Sequence, residues 1–152
     1  MKNTEYEIIP FISIGDILFT DNRATIRNKI GGPFDNGVYD VSEITELYDY
    51  FPEKDIKVLY DKAENLNAVE FYNSQVTFPD VIFLNKNLFS FSYKDIQPFF
   101  LDIDNQLETD SIGFISHKYG IGIGIKGDGE DEDERPDSII VFKNEYYHAY
   151  KS

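Results

Sequence analysis

Residues 120–125 read Gly-Ile-Gly-Ile-Gly-Ile, the stretch that most narrowly limits what this chain can fold into. A period of two puts Ile121, Ile123 and Ile125 on one face of an extended strand and leaves bare backbone on the other. A dinucleotide fingerprint needs G-x-G-x-x-G at the opening of a helix, where backbone N–H groups meet a pyrophosphate. Here the glycines recur every second residue, no helical pattern follows, and the acids that come next repel phosphate. The isoleucine face has to enter a core. The glycine face marks a bend or the close approach of another group, either aromatic rings of the chain itself or a partner lying there.

The run from Asp128 to Asp137 carries seven acids and one arginine, a local charge of -6. The formal net charge is -14, so the remaining -14 minus -6, or -8, is spread over the rest of the chain. An EF-hand loop needs acids at alternate positions, then Gly, between two helices. Asp128, Glu130 and Glu132 keep the spacing, but Asp133 stands where Gly belongs and strands flank the run. Two readings follow: a solvated charge run joining two strands, or a loop that docks against a cationic surface, where neutralisation relieves the repulsion among its carboxylates.

Fourteen basic against 28 acidic residues disfavour a basic footprint for nucleic acid and contact with an anionic membrane, whereas a basic protein partner would be steered in. With 152 residues, 41% of them hydrophobic and 16% aromatic, the chain suits a single domain over 1–152 with a real core and many strand-forming side chains. The absence of cysteine excludes disulfides and thiolate metal sites. The N-terminal segment carries Glu5 and Glu7 before an apolar stretch broken by Pro10, Gly15 and Asp16, unlike a signal peptide, and no apolar run reaches the length of a membrane span. The expectation is a soluble, cytoplasmic protein.

Short blocks repeat in order along the chain. Asp16–Phe19 aligns with Asp80–Phe83, Ile56–Tyr60 with Ile121–Ile125, and Ala68–Phe71 with Ile139–Phe142, at offsets of 64, 65 and 71. The pattern predicts an α+β fold of two pseudo-repeats, about 8–73 and 78–150, each a strand, a helix and an antiparallel three-stranded meander, giving a helix-backed antiparallel sheet. In the first half the strand is Asp16–Thr20 and the helix about Asn22–Ile30, with Asp21 as N-cap and Gly31-Gly32-Pro33 as stop. Strands follow at Leu47–Phe51, Ile56–Tyr60 and Ala68–Tyr72. In the second half a strand at Val81–Leu84 precedes a helix opened by the capping box Ser92-Tyr-Lys-Asp95, with Ile96, Phe99, Phe100 and Ile103 on one face and Pro98 arguing for a later start or a bend. Ile112–Ser116, Gly120–Lys126 and Ser138–Lys143 are the second strand set, with Tyr146–Tyr150 as a terminal edge strand.

Within Ile17–Pro33 the residues Ile17, Phe19, Ile26, Ile30, Gly32 and Pro33 match in type the strand-turn-helix signature I-x-F-G-M-T-x-x-E-V-x-x-x-L-G-x-P. The block thereby resembles tandem-repeat folds of the beta-lactamase inhibitory protein type and small outer-membrane assembly lipoproteins. Thr20 replaces the usual Gly and Thr25 the usual acid, and the second half keeps almost none of the motif. The resemblance implies a helix-backed antiparallel sheet built by duplication, in a group whose members mostly bind proteins. The lipoprotein signal and cysteine are missing, so an outer-membrane role does not carry over.

No reaction is written in the chain. His117 and His148 lack the spacing and companions of a zinc site, and Ser116 and His117, adjacent in a strand, point to opposite faces. No nucleophile elbow, P-loop or kinase signature is present. No cofactor or metal is expected. Tyrosines on an open sheet face supply rigid contact area with a polar tip, and Tyr119, Tyr146 and Tyr147 lie near the acidic run in sequence. The expected function is non-enzymatic protein binding: an acidic inhibitor or immunity protein that neutralises a basic toxin or nuclease through Tyr119, Glu130, Asp131, Glu132, Asp133, Glu134, Tyr146 and Tyr147. The alternatives are a small-molecule-binding or enzymatic domain with a cleft between sheet and helices, and a subunit that dimerises through its glycine face.

Overall fold

A computed structural model describes residues 5–41, 43–74, 79–125 and 134–147. Among these residues, two sheets and two α-helices enclose one main core. The larger sheet is antiparallel throughout, in the order β10 (Glu108–Asp110), β11 (Gly113–Ser116), β12 (Ile121–Gly124), β13 (Ser138–Phe142), β7 (Leu66–Tyr72), β6 (Ile56–Tyr60), β5 (Ile44–Phe51) and β4 (Asp35–Val41). The smaller has the order β3 (Ile17–Leu18), β2 (Ser13–Ile14), β1 (Glu5–Ile9), β8 (Asp80–Phe83) and β9 (Lys86–Asn87), with β1 and β8 parallel.

The strands form where apolar side chains recur at period two. Ile56, Val58 and Tyr60 on β6, Val69 and Phe71 on β7, Ile121 and Ile123 on β12, and Ile139 and Val141 on β13 are all buried in the main core. One row runs across six strands as Phe51, Ile56, Phe71, Ile139, Ile123 and Phe114. Against these rows pack Ile26 and Ile30 of α1 (Arg23–Ile30), Ile96 and Phe100 of α2 (Tyr93–Ile103), and Val81 and Phe83 of β8. Each fully buried Phe or Ile contributes about 1.5–3 kcal/mol relative to exposure.

Helix α1 is capped by Asn22, whose side chain accepts from the Thr25 N–H at 2.9 Å, rather than by Asp21. Asp21 lies one residue too early to reach that amide and instead accepts the Leu18 N–H and binds Lys29 Nζ at 2.7 Å. Gly31, at φ 74°, ends the helix with its N–H on the Arg27 carbonyl. A fully buried carboxylate ties α1 to the sheet: Asp49 of β5 accepts from Arg23 and Arg27, at 2.7 Å each, and from the Tyr60 hydroxyl at 3.0 Å. In α2 the capping box stays open, because the Ser92 hydroxyl is buried without a partner while its carbonyl accepts from Asp95 and Ile96. Pro98 lies within α2 on its exposed side, and the buried Ile96 and Phe100 carry the helix through it.

Each meander has four strands, not three. Strand β4, DNGVYDV, and strand β10, ETD, lack the apolar alternation of a half-buried strand because they are the exposed edges of the sheet. The expected alignment of Asp16–Phe19 with Asp80–Phe83 also changes: β3 closes a hairpin with β2, whereas β8 opens one with β9. Tyr146 and Tyr147 sit in a helical turn after β13 rather than in a strand, and residues 148–150 lie outside the described ones. No helix among the described residues is long and apolar enough to cross a membrane.

Candidate functional site: the open face of the large sheet

Residues paired across antiparallel strands point to the same side, so the register assigns each side chain to a face. Opposite the core, one row crosses all eight strands: Asp35, Tyr50, Lys57, Glu70, Ile140, Gly122, Ile115 and Glu108. A neighbouring row runs Gly37, Tyr48, Leu59, Ala68 and Phe142, and another runs Tyr72, Ser138, Gly124, Gly113 and Asp110. Among the described residues, Tyr146 and Tyr147 cover one corner of this face, over Leu59, Ala68 and Phe142. Tyr48, Tyr50, Lys57, Glu70, Tyr72, Ile115 and Ile140 remain half-buried.

The part formed by β4 to β7 is a tyrosine cluster around one ammonium group. Lys57 Nζ bonds the Tyr39 hydroxyl at 2.7 Å and lies 5.3, 5.4 and 5.8 Å from the ring centroids of Tyr39, Tyr48 and Tyr72. Tyr39 stacks on Tyr48 at 4.7 Å, and Tyr50 meets Tyr72 edge-on. Cation–π contacts of this kind contribute about 0.5–1 kcal/mol each at exposed sites. Glu70 is the direct cross-strand neighbour of Lys57, yet its carboxylate accepts from the Tyr72 hydroxyl and forms no ion pair among the described residues. Burial, reinforced by the bond to Glu70, pushes the Tyr72 phenol well above its usual pKa.

The part formed by β11 to β13 is a groove of about 220 Å³ floored by Gly122 and Gly124 and walled by Ile115, Ile140, Ser138 and Glu70. Neighbouring side chains lean over both glycines: a Cβ on Gly122 would lie 2.7 Å from Ile140 Cγ2, and one on Gly124 would meet the Ser138 hydroxyl, so either addition forces its neighbour to shift. The expected cover of aromatic rings over glycine occurs elsewhere, with Tyr48 on Gly37 and Phe11 on Gly120.

The residues expected to form a docking surface are divided between two ends and two faces. Tyr119 faces the helices, donating its hydroxyl to the Ile103 carbonyl at 3.2 Å and packing 5.3 Å from Phe83. Tyr146 is buried, its hydroxyl 2.9 Å from Glu46. Tyr147 packs on Phe142 and His117 and reaches the glycine groove. Glu130, Asp131, Glu132 and Asp133 lie outside the described residues. Glu134 is described, and its carbonyl accepts the Tyr93 N–H at 2.7 Å. The acidic connection leaves after Gly124 and returns at Ser138, the end of the face that also holds Tyr72 and Asp110, whereas Tyr146 and Tyr147 lie beyond Phe142 at the other end.

Ser116 and His117 diverge: the serine hydroxyl donates to buried Asp104 on the helix side at 2.7 Å, and the imidazole meets Glu108 on the open side at 2.7 Å. Among the described residues no group of three or more His, Asp or Glu is arranged to hold a metal ion. The central residues of the open face, Lys57, Glu70, Ile115 and Ile140, were not singled out by sequence. The signal available for the tyrosines was their spacing at i, i+2 in Tyr48 and Tyr50, which places both on one side of a strand. Comparison with protein-family models, with curated proteins and with solved structures finds nothing that matches this chain.

Proposed function

We propose that this chain is a non-enzymatic protein-binding domain, an acidic inhibitor or immunity protein, whose docking surface is the open face of the eight-stranded sheet and whose partner is a basic, toxin-like protein such as a nuclease. One observation carries the reading. Among the described residues, one face of the sheet is buried beneath helices, while the other displays four tyrosines, a glycine-lined groove and the carboxylates of Asp35, Glu70, Glu108 and Asp110 around the ammonium of Lys57. Tyrosine-rich, partly buried surface is what protein interfaces favour, and the excess of carboxylates selects a cationic counterpart.

The duplication reading supports the same conclusion. Each half runs hairpin, helix, meander, and β7 pairs with β13 about Glu70 and Ile140. A two-fold axis through that pair exchanges Val69 with Ile139 and Phe71 with Val141. In this reading the sheet is two copies joined edge to edge, the plan implied by the resemblance of Ile17–Pro33.

Site-directed photocrosslinking in cells that make the protein tests the surface. A photoreactive side chain at Tyr50 or Ile115 is expected to capture a basic protein, while one at Leu101, exposed on α2, is not. Capture from Leu101 alone, or capture of an acidic protein, overturns the proposal. The small-molecule alternative has one observation in its favour, a cavity of about 580 Å³ at the start of α2 lined by Lys86, Lys94 and Arg135. A metabolite that raises the melting temperature, with the rise abolished by Lys86→Ala and Lys94→Ala together, would favour it.

A further inference from the structure

We infer that Glu70 and the glycine groove beside it form a receptor for one arginine or lysine side chain of the partner, with the aliphatic stem lying in the groove along Ile140 and Ser138 and the cationic head on the Glu70 carboxylate. The inference rests on the open face being the docking surface.

Three observations place the cation there. First, Glu70 sits in the middle of the sheet, between Lys57 on β6 and Ile140 on β13, so a partner lying across the face has to cover it. Covering a carboxylate without a counter-charge is costly, and a partner that brings a guanidinium or ammonium group avoids this cost. Second, the lysine next to Glu70 is committed elsewhere: its Nζ is held by the Tyr39 hydroxyl and the faces of Tyr39, Tyr48 and Tyr72. The Glu70 carboxylate is therefore not paired with Lys57, and the Tyr72 hydroxyl orients it.

Third, the groove has the shape that a long cationic side chain needs. Its lining combines apolar Ile115 and Ile140 with Ser138 and Glu70, and Ile140 Cγ2 and the Ser138 hydroxyl lean over Gly122 and Gly124. Arginine and lysine bury apolar stems while keeping the charged head at a polar contact, which this arrangement offers.

Amide chemical shifts of the full-length protein, titrated with the tripeptide Gly-Arg-Gly capped at both ends, test the receptor, with Gly-citrulline-Gly as the uncharged isostere. The expected result is saturable shifts at Gly122, Gly124 and Ile140 with the arginine peptide, absent with citrulline. Glu70→Gln is expected to weaken binding about tenfold or more, as for removal of one member of a desolvated charge pair, and Asp35→Asn at the far rim to weaken it less than twofold. Unchanged far-ultraviolet circular dichroism and melting temperature establish that the variants are folded. Shifts on the open face that ignore Glu70→Gln overturn the receptor and leave the docking surface standing. Shifts confined to the acidic connection or the helix side count against both. An absence of saturable shifts removes the receptor, and the photocrosslinking outcome then decides the surface independently.

Discussion

Asp49 shows how one residue is decided by its three-dimensional partners. In sequence it is one of 28 acids, yet it is fully buried and hydrogen-bonded by Arg23, Arg27 and Tyr60. Burial raises the energy of its charge, but the two guanidinium groups outweigh this and hold its carboxyl below the usual carboxylate range. Because the folded pKa is depressed, the contribution is fully present above the unfolded value of about 4 and is lost as pH falls through the folded value. Acid unfolding monitored by circular dichroism is expected to begin below about pH 4, and Asp49→Ala to flatten it. Leaving Arg23 and Arg27 without their carboxylate is expected to destabilise the protein by about 3 kcal/mol in urea melts. Gly122 obeys a different constraint. Gly122→Ala drives a methyl group into Ile140 Cγ2 and is expected to lower stability by about 1–2 kcal/mol, and in the Ile140→Ala background, where Cγ2 is gone, the same change is expected to cost less.

At the scale of elements, legibility followed burial. Strand β6 was read with its observed limits, and β7, β11, β12 and β13 within two residues at either end, because each places apolar side chains at period two against the core. Strands β4 and β10 escaped notice because their stability comes from hydrogen bonding to one neighbour rather than from buried side chains. The helix ends turn on single bonds. Asn22→Ala is expected to cost about 1 kcal/mol and to speed amide exchange at Thr25, while Asp21→Ala, which removes bonds to the Leu18 N–H and Lys29, leaves Thr25 protected; amide hydrogen exchange thus identifies the cap. Pro98 lies in the second turn of α2, where it donates no bond to the Lys94 carbonyl. Pro98→Ala is expected to raise the melting temperature, and a fall would mean that the ring itself is needed for packing.

For the whole molecule, the proposed function assigns electrostatics to how a partner arrives and the open face to where it lands. Replacing Glu130, Asp131, Glu132, Asp133 and Glu134 with their amides is expected to slow association with the protein captured on the open face. It should also flatten the salt dependence of that rate without changing the fold. Stopped-flow association at low and high salt reads both effects, and unchanged rates remove the acidic connection from docking. Alternation and composition by themselves determined that this chain makes an antiparallel sheet with helices on its apolar side, because period-two burial and end-of-helix glycines are local properties. They also determined the acidic field. Only tertiary structure decided which tyrosines share a surface, that Tyr119 turns toward the helices and Tyr146 is buried over a corner of the open face, and that Glu70 lines the glycine groove. Those juxtapositions are made by strand register between residues distant in the chain, and register is set by the collective packing of a core rather than by any local pattern.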